Sequence, residues 1–398
     1  MPLEFNRMLP ARLLPFFTAA LALIVGSVGA FTGGIWAETG IIGAIVIYLG
    51  VWTIERRAPR PDRSFSILAG ALLAWMVVSA LISVHPAISW FQTFQITSFL
   101  LPLLLLTCPA ILQYLRSPKL FPVVPIVIAV AAAALALELY LGAPVLRFFK
   151  GPQAAITEYD RGFSYLVVFF FPFLAWLWVS GRRAFAIGLL AIILVPASLT
   201  YSRSAKIALI AGFCVCVCVY FLPILSRRCL TLVLFCLIGW PFAVRMFFLK
   251  HFASLSHLPN SWRDRVEIWD YLSYRITERP ILGWGMGTSR TLDFIHPHGA
   301  LYVIRTEAAP HPHNVVIQLW VEMGIGGIAL GLAFALLTLH KISRLDRSLV
   351  PFATGAWTAA LCLSLISYNF WTDSFFATFA LTGLMFALLN GQDARPLS

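Results

Sequence analysis

Charge is scarce in this chain. Only 12% of its 398 residues are Asp, Glu, Lys or Arg, and 60% are hydrophobic. Soluble domains carry about a quarter charged residues. A deficit of this size excludes an ordinary soluble globule and puts lipid, not water, against most of the outer surface. Acidic groups are the scarcest, 17 Asp and Glu against 29 Lys and Arg. There is no Asp-x-Asp pair; Glu158-Tyr159-Asp160 is the nearest approach. The seven cysteines offer no disulfide framework. Cys214, Cys216 and Cys218 share one apolar run, Cys108, Cys229, Cys236 and Cys362 lie in or beside others, and the long polar segment has none. Small buried hydrophobes in helices is the reading that fits them.

Apolar runs are abundant. Stretches of roughly 18 residues or more are long enough to span a bilayer. Twelve are found, at 13–31, 35–54, 65–84, 94–114, 121–141, 162–180, 184–201, 204–225, 229–249, 313–339, 350–369 and 371–389. The first, preceded by Arg7 and Arg12, reads as a retained helix, since no convincing cleavage site follows it. The expected architecture is an all-α polytopic membrane protein of about twelve transmembrane helices. It divides into helices 1–9 over residues 1–249, one large loop containing short helices over 250–312, and helices 10–12 over 313–398.

The net charge of +12 has a place in this scheme and needs no nucleic acid. Arg56, Arg57, Arg60 and Arg63 follow the second run, Arg116 and Lys119 the fourth, Arg182 and Arg183 the sixth, Arg227 and Arg228 the eighth, and Lys341, Arg344 and Arg347 the tenth. The short connections after the first, third and eleventh carry no Lys or Arg. This is the positive-inside pattern with both termini cytoplasmic and the large loop outside. Three outward connections break it. They are 142–161 with Arg147, Lys150 and Arg161, the turn 202–206 with Arg203 and Lys206, and 250–312 with Arg263, Arg265 and other arginines. Cations kept outside against the insertion bias point to an anionic ligand there, with lipid headgroups the duller alternative.

Within the large loop, Ser261 and Asp264 suggest a capping box. The run Trp262 to Thr277 puts Val266, Trp269, Leu272 and Ile276 on one helical face, suited to lying on the bundle at the membrane surface. Pro280 should stop this helix, and Gly283, Gly285 and Gly287 should form a flexible turn. His311-Pro312-His313-Asn314 follows where the loop meets the tenth run. Pro312 suits a first helical position. His313 then lies in the first turn, where a helix N-terminus disfavours imidazolium and keeps a neutral imidazole able to accept a proton. An interfacial histidine bound to a backbone carbonyl is the bland alternative. His296, His298, His311 and His313 are too interrupted by Pro297 and Pro312, and too far from cysteine help, to favour zinc. No metal or other cofactor is expected. Arg161, Arg203, Lys206 and Arg265 offer guanidinium and ammonium groups in place of metal-holding carboxylates, able to stabilise a leaving pyrophosphate. Glu138 and Glu322, inside apolar runs, are open between a functional role and a hydrogen-bonded structural one.

His313-Asn314, a nine-residue spacer, then Gly324-Ile325-Gly326-Gly327 resembles the signature of the O-antigen ligase/polymerase superfamily. So do Trp262-Arg263-Asp264-Arg265 through Trp269, Arg279-Pro280-Ile281-Leu282-Gly283-Trp284-Gly285, and Tyr201-Ser202-Arg203-Ser204. The resemblance implies a metal-independent membrane glycosyltransferase of the bacterial inner membrane with a periplasmic active site. The donor would be a glycan on undecaprenyl pyrophosphate, and the other partners membrane lipids and a hydroxyl acceptor. For a ligase that acceptor is the lipid A–core oligosaccharide, for a Wzy-type polymerase another lipid-linked unit, for a protein O-oligosaccharyltransferase a Ser or Thr. With no extra C-terminal domain of the protein-modifying kind, ligase is the first expectation. His313, Arg161 and Arg265 are the expected catalytic residues, and Arg203, Lys206, Asn314, Arg263 and Tyr201 the expected substrate contacts. A transporter or flippase is the rival from another class. It would show inverted repeats and paired broken helices; neither is evident in the sequence.

Overall fold

A computed structural model describes residues 35–56, 58, 60–105, 107–115, 159–251, 260–292, 311–367 and 369–390, with short pieces between 133 and 151 and at 257. The first apolar run and most of the fifth, with His296 and His298, lie outside the described residues. Among the described residues there is no strand. The helices are α1 (Ile35–Glu55), α2 (Arg63–Leu81), α3 (Pro86–Leu105), α4 (Pro109–Leu115), α5 (Tyr159–Val179), α6 (Arg183–Leu199), α7 (Arg203–Phe221), α8 (Pro223–Ile238), α9 (Trp240–His251), α10 (Asn260–Glu278), α11 (Val315–Ile342), α12 (Val350–Ile366) and α13 (Asp373–Leu389). Of these, α2, α5, α7 and α11 are long and apolar enough to cross a membrane. α8 with the start of α9 makes a fifth candidate, bent by 64°. The chain is a helical membrane protein.

The boundaries differ from the apolar runs where local chemistry intervenes. The run 94–114 becomes two helices, α3 beginning at Pro86 and ending before Thr107-Cys108, and α4 beginning at Pro109. The run 229–249 is divided at Gly239, where α8 ends and α9 sets off in a new direction. Hydropathy does not register such bends, because both arms remain apolar. The cysteines also divide: Cys108 and Cys216 are buried, while Cys214, Cys218, Cys229 and Cys236 are exposed on apolar helices, so the buried reading fails for those four.

Two packing arrangements place the site. The first is the antiparallel pair α7 and α12, which packs together and against α5. A Cβ on Gly212 would lie 2.7 Å from the Gly355 carbonyl, and one on Gly355 would lie 2.8 Å from that of Gly212. Glycine against glycine lets two backbones approach as small-residue interfaces do in membranes. Ala205 and Ala208 on α7, with Ala356 and Ala359 on α12, continue the seam fully or nearly buried. This crossing brings the start of α7 to the end of α12. There Ser204 Oγ donates to Ser367 Oγ at 3.2 Å.

The second arrangement is a break in α11. Gly324 has φ 60° and ψ −153°, non-helical values inside an otherwise continuous helix. The Ile325 N–H leaves its helical acceptor and donates to the Pro280 carbonyl at 3.0 Å, and the Val321 carbonyl accepts from Trp284 N–H at 2.8 Å. The Glu322 carbonyl accepts from Gly285 N–H at 3.0 Å, and that of Met323 from Trp75 Nε1 at 2.9 Å. These four groups at the break therefore find partners outside α11, as buried backbone requires. The segment 280–287 is thus a strap laid into the break. Gly283, with φ 73°, lies where a Cβ would come within 2.6 Å of the Glu322 backbone. Its neighbour Trp284 is flanked by the guanidinium groups of Arg275 and Arg279, 4.1 and 4.5 Å from the ring centroid. The expectation of a flexible glycine turn is corrected: Gly283, Gly285 and Gly287 are buried and locked.

The loop helix forms as its pattern indicates, as α10, packed between α9 and α11. Trp269, Leu272 and Ile276 are buried as expected and Val266 partly so. Glu267, Asp270 and Ser273 are buried too. The helix is therefore enclosed on more than its apolar face, which corrects the picture of a helix resting on a surface. The side chain of Ser261 lies outside the described residues, so the capping box is not described.

Candidate active site

α11 begins at Val315, so Pro312 is not the first helical residue and His313 stands two residues before the helix, not in its first turn, which corrects the sequence expectation. Asn314 is the N-cap, its Oδ1 accepting from Val316 N–H at 2.9 Å and Ile317 N–H at 3.1 Å. A polar cap of this kind satisfies amides that a helix start leaves without partners. Trp269 Nε1 on α10 donates to the Pro312 carbonyl at 2.6 Å. Held from both sides, His313 adopts φ 52°, a left-handed conformation that costs a side-chain-bearing residue about 1 kcal/mol or more. Its Nδ1 is hydrogen-bonded to the Ser367 carbonyl. A carbonyl only accepts, so Nδ1 carries the proton, and in the neutral ring Nε2 keeps its lone pair.

His311 lies against His313, ring centroids 3.9 Å apart. Burial pushes the His311 imidazole down to about 3, with the charges of His313, Arg290, Arg161 and Arg265 acting in the same direction. Burial also lowers the pKa of His313. The bond to Ser367 opposes that shift and Arg265 adds to it. Both rings are therefore neutral near pH 7, in the field of arginines from three separate parts of the chain.

Of the expected residues, Arg161 is exposed in the first turn of α5, and Arg265 is half-buried on α10 with its guanidinium 5.8 Å from the Trp262 ring. Both act on the histidine pair. Arg203 and Tyr201 are exposed at the start of α7, and Lys206 is half-buried near Asp160. They belong to a polar turn built on Asp160, which accepts from the Thr200 hydroxyl and from the backbone of Tyr201 and Ser202. Ser202 Oγ lies 3.3 Å from Ser204 Oγ, and Ser204 reaches Ser367, whose carbonyl holds His313. Arg263 is half-buried on α10 two residues from Arg265, roughly 200° round the axis, so the two leave the helix on different sides. Asn314 is only 2% exposed, and its Oδ1 is taken up by the helix cap.

Several residues of this arrangement were not singled out from the sequence. Ser367 contributes a carbonyl, which no side-chain motif reveals. Asp160 adjoins Arg161, yet only the fold brings it to Thr200. Arg290 was one arginine among many in the loop. Glu322, left open above, is fully buried and accepts from Gly287 N–H at 2.9 Å, Ser289 Oγ at 2.6 Å, Gln318 Nε2 at 3.3 Å and Trp371 Nε1. It is a structural hub. Glu138 accepts from Tyr159 Oη at 2.7 Å.

These features define a class: a helical membrane protein whose helix starts carry a neutral histidine pair among arginines. The comparisons with known proteins go one step further. Residues 188–332 match the family model described as O-antigen ligase. That stretch contains Arg203, Arg265, His313 and the glycines of the break in α11, but not Arg161 or Ser367. A Rickettsia conorii protein described as "Putative polysaccharide ligase" is 30% identical over 114 residues, and one from Rickettsia prowazekii with the same description is 31% identical over 114. The matched stretch is 27% of this chain and 27% of the length of each relative. Together these findings support the O-antigen ligase superfamily, in agreement with the resemblance read from the motifs.

Proposed function

We propose that this chain is an O-antigen ligase of the bacterial inner membrane, with its large loop periplasmic and both termini cytoplasmic. It would transfer a glycan from undecaprenyl pyrophosphate to a sugar hydroxyl of lipid A–core oligosaccharide. The observation that carries the reading is His313, a neutral histidine that donates through Nδ1 and keeps the Nε2 lone pair, set beside cations from α5 and α10. The acceptor O–H gives its proton to Nε2. The acceptor oxygen attacks the anomeric carbon as the bond to pyrophosphate breaks, and the electron pair departs on the pyrophosphate oxygen. Arg161 and Arg265 stabilise that developing charge, with Arg203 and Lys206 supporting. One direct displacement inverts the anomeric configuration. Asn314 contributes by fixing the backbone beside His313, while Tyr201 lines the approach. The supply of arginines and the lack of an Asp-x-Asp pair support a reaction that needs no metal.

The test is glycan transfer by purified protein in EDTA. Transfer should persist with chelator and disappear in His313→Ala. Loss on chelation, or full activity in the variant, would sink this mechanism. Lipopolysaccharide from cells lacking the gene separates ligase from polymerase. Uncapped core with accumulated lipid-linked polymer indicates the ligase; absence of the polymer indicates a Wzy-type polymerase.

A further inference from the structure

A buried carboxylate is costly unless it is well supplied with donors. Two of the four donors to Glu322 come from one short turn, Gly287 N–H and Ser289 Oγ. Between them, Thr288 Oγ1 donates to the Gly285 carbonyl at 2.6 Å. Gly287, with φ 75°, opens the 3-10 turn Thr288–Arg290. Thr288 and Ser289 are 0% and 1% exposed. This turn cannot shift without stripping donors from Glu322. The next residue, Arg290, is exposed and has no ion-pair partner among the described residues. Its charge bears on His311. Glu322 lies nine residues beyond His313, so α11 itself joins the clamp to the site.

We propose that Glu322 is a positioning residue that clamps the 287–289 turn so that Arg290 binds a phosphate of the lipid-linked donor beside the histidine pair. This rests on the reading of the site as one that handles a lipid pyrophosphate. Arg290 supplies a third cation, from a segment separate from α5 and α10. Glu322 touches no substrate and bears on phosphate binding through Arg290, beside its ties to Gln318 and Trp371. A guanidinium delivered on a rigid turn loses little freedom on binding, which is where preorganisation raises affinity.

The test uses the purified full chain in detergent with inorganic pyrophosphate as probe, followed by donor and acceptor KM in the transfer assay. Arg290→Ala should weaken pyrophosphate binding by about tenfold, the worth of one charge-assisted hydrogen bond. It should raise the donor KM more than the acceptor KM. Arg290→Lys should recover part of the loss, since it restores charge without the planar fork. Glu322→Gln should weaken binding comparably and add little to Arg290→Ala in the double variant, as residues acting through one contact do. Ser289→Ala makes the same comparison if Glu322→Gln does not fold. Binding that is absent in the wild type, or equal in Arg290→Ala, overturns the proposal. Fully additive effects of Glu322→Gln and Arg290→Ala overturn the clamp. Arg290-dependent binding in a protein that transfers no glycan upholds this site against the ligase reading. Glycan transfer with Arg290-independent binding does the reverse.

Discussion

The two halves of α11 are opposite in character although one helix contains both. Residues 315–324 are buried at every position. They carry Gln318 and Glu322, whose side chains tie α11 to Asn369, Phe370 and Trp371 and to the 287–289 turn. Beyond Gly324, Ile325 is 55% exposed and Phe334 48%, and the helix runs on as an apolar rod to Lys341. There Lys341 Nζ meets the Asp62 carboxylate at 2.6 Å, at the end remote from His313. The first half holds the site and is fastened by hydrogen bonds; the second is held by a few apolar contacts, among them Phe334 against Phe65 with ring centroids 6.1 Å apart, and one terminal ion pair. A membrane helix gains little from apolar contact with its neighbours, since lipid offers much the same, so fine positioning falls to polar bonds and close backbone packing.

The junction between the halves is where the comparison breaks most easily. Gly324→Ala would place a Cβ 2.3 Å from the Ile281 carbonyl at a φ that only glycine adopts easily. The strap must then leave the break, with a stability loss of about 3 kcal/mol or more. The expected result is a sharply reduced yield of folded protein and a lowered melting temperature in detergent. Near wild-type melting would mean that the break does not anchor the strap. His313→Ala, in contrast, leaves the junction alone. Transfer should fall about a hundredfold or more, the usual worth of a general base, while the melting temperature stays close to wild type.

The sequence revealed these two halves unequally. The spacing from His313-Asn314 to Gly324-Gly326-Gly327 marked the first half, and the structure supplies its physical reason. Gly324 makes the break, while a Cβ on Gly326 would meet the Trp75 ring at 2.2 Å and one on Gly327 the Met323 side chain at 2.4 Å. Helix existence was legible from apolar runs, because burial in lipid leaves a long unbroken signal. The bend at Gly239 and the break at Gly324 were not, since neither alters hydropathy. Arg161 and Arg265 could be picked out as cations on the unexpected side of a charge pattern. Ser367, Asp160 and the Glu322 clamp depend on contacts 33 or more residues apart, some of them to backbone atoms, which no local pattern encodes.

A smaller effect sharpens the electrostatic side. His313 titrates below the ordinary imidazole value of about 6.5. The base is competent above its folded pKa, so transfer should hold through pH 6.5 and fall only as pH drops through that lower value. Arg265→Gln removes one of the cations that disfavour imidazolium. Its residual activity should therefore show an acid limb displaced to higher pH. A limb at or above 6.5 in the wild type, or no displacement in the variant, would show that the limb does not report this histidine.

The smallest effect belongs to Ile325, one residue past the break. Its N–H holds the Pro280 carbonyl, but its side chain points away from the packed interior and is more than half exposed. Ile325→Ala keeps the backbone bond and removes only an outward apolar group. Substitutions at such exposed positions usually change stability by about 0.5 kcal/mol or less. Transfer and melting temperature should both remain near wild type, next to a glycine whose replacement by the same residue unfolds the site. If Ile325→Ala is as damaging as Gly324→Ala, the side chain at 325 is packed against something in the membrane, and the second half of α11 is more than a lipid-facing rod.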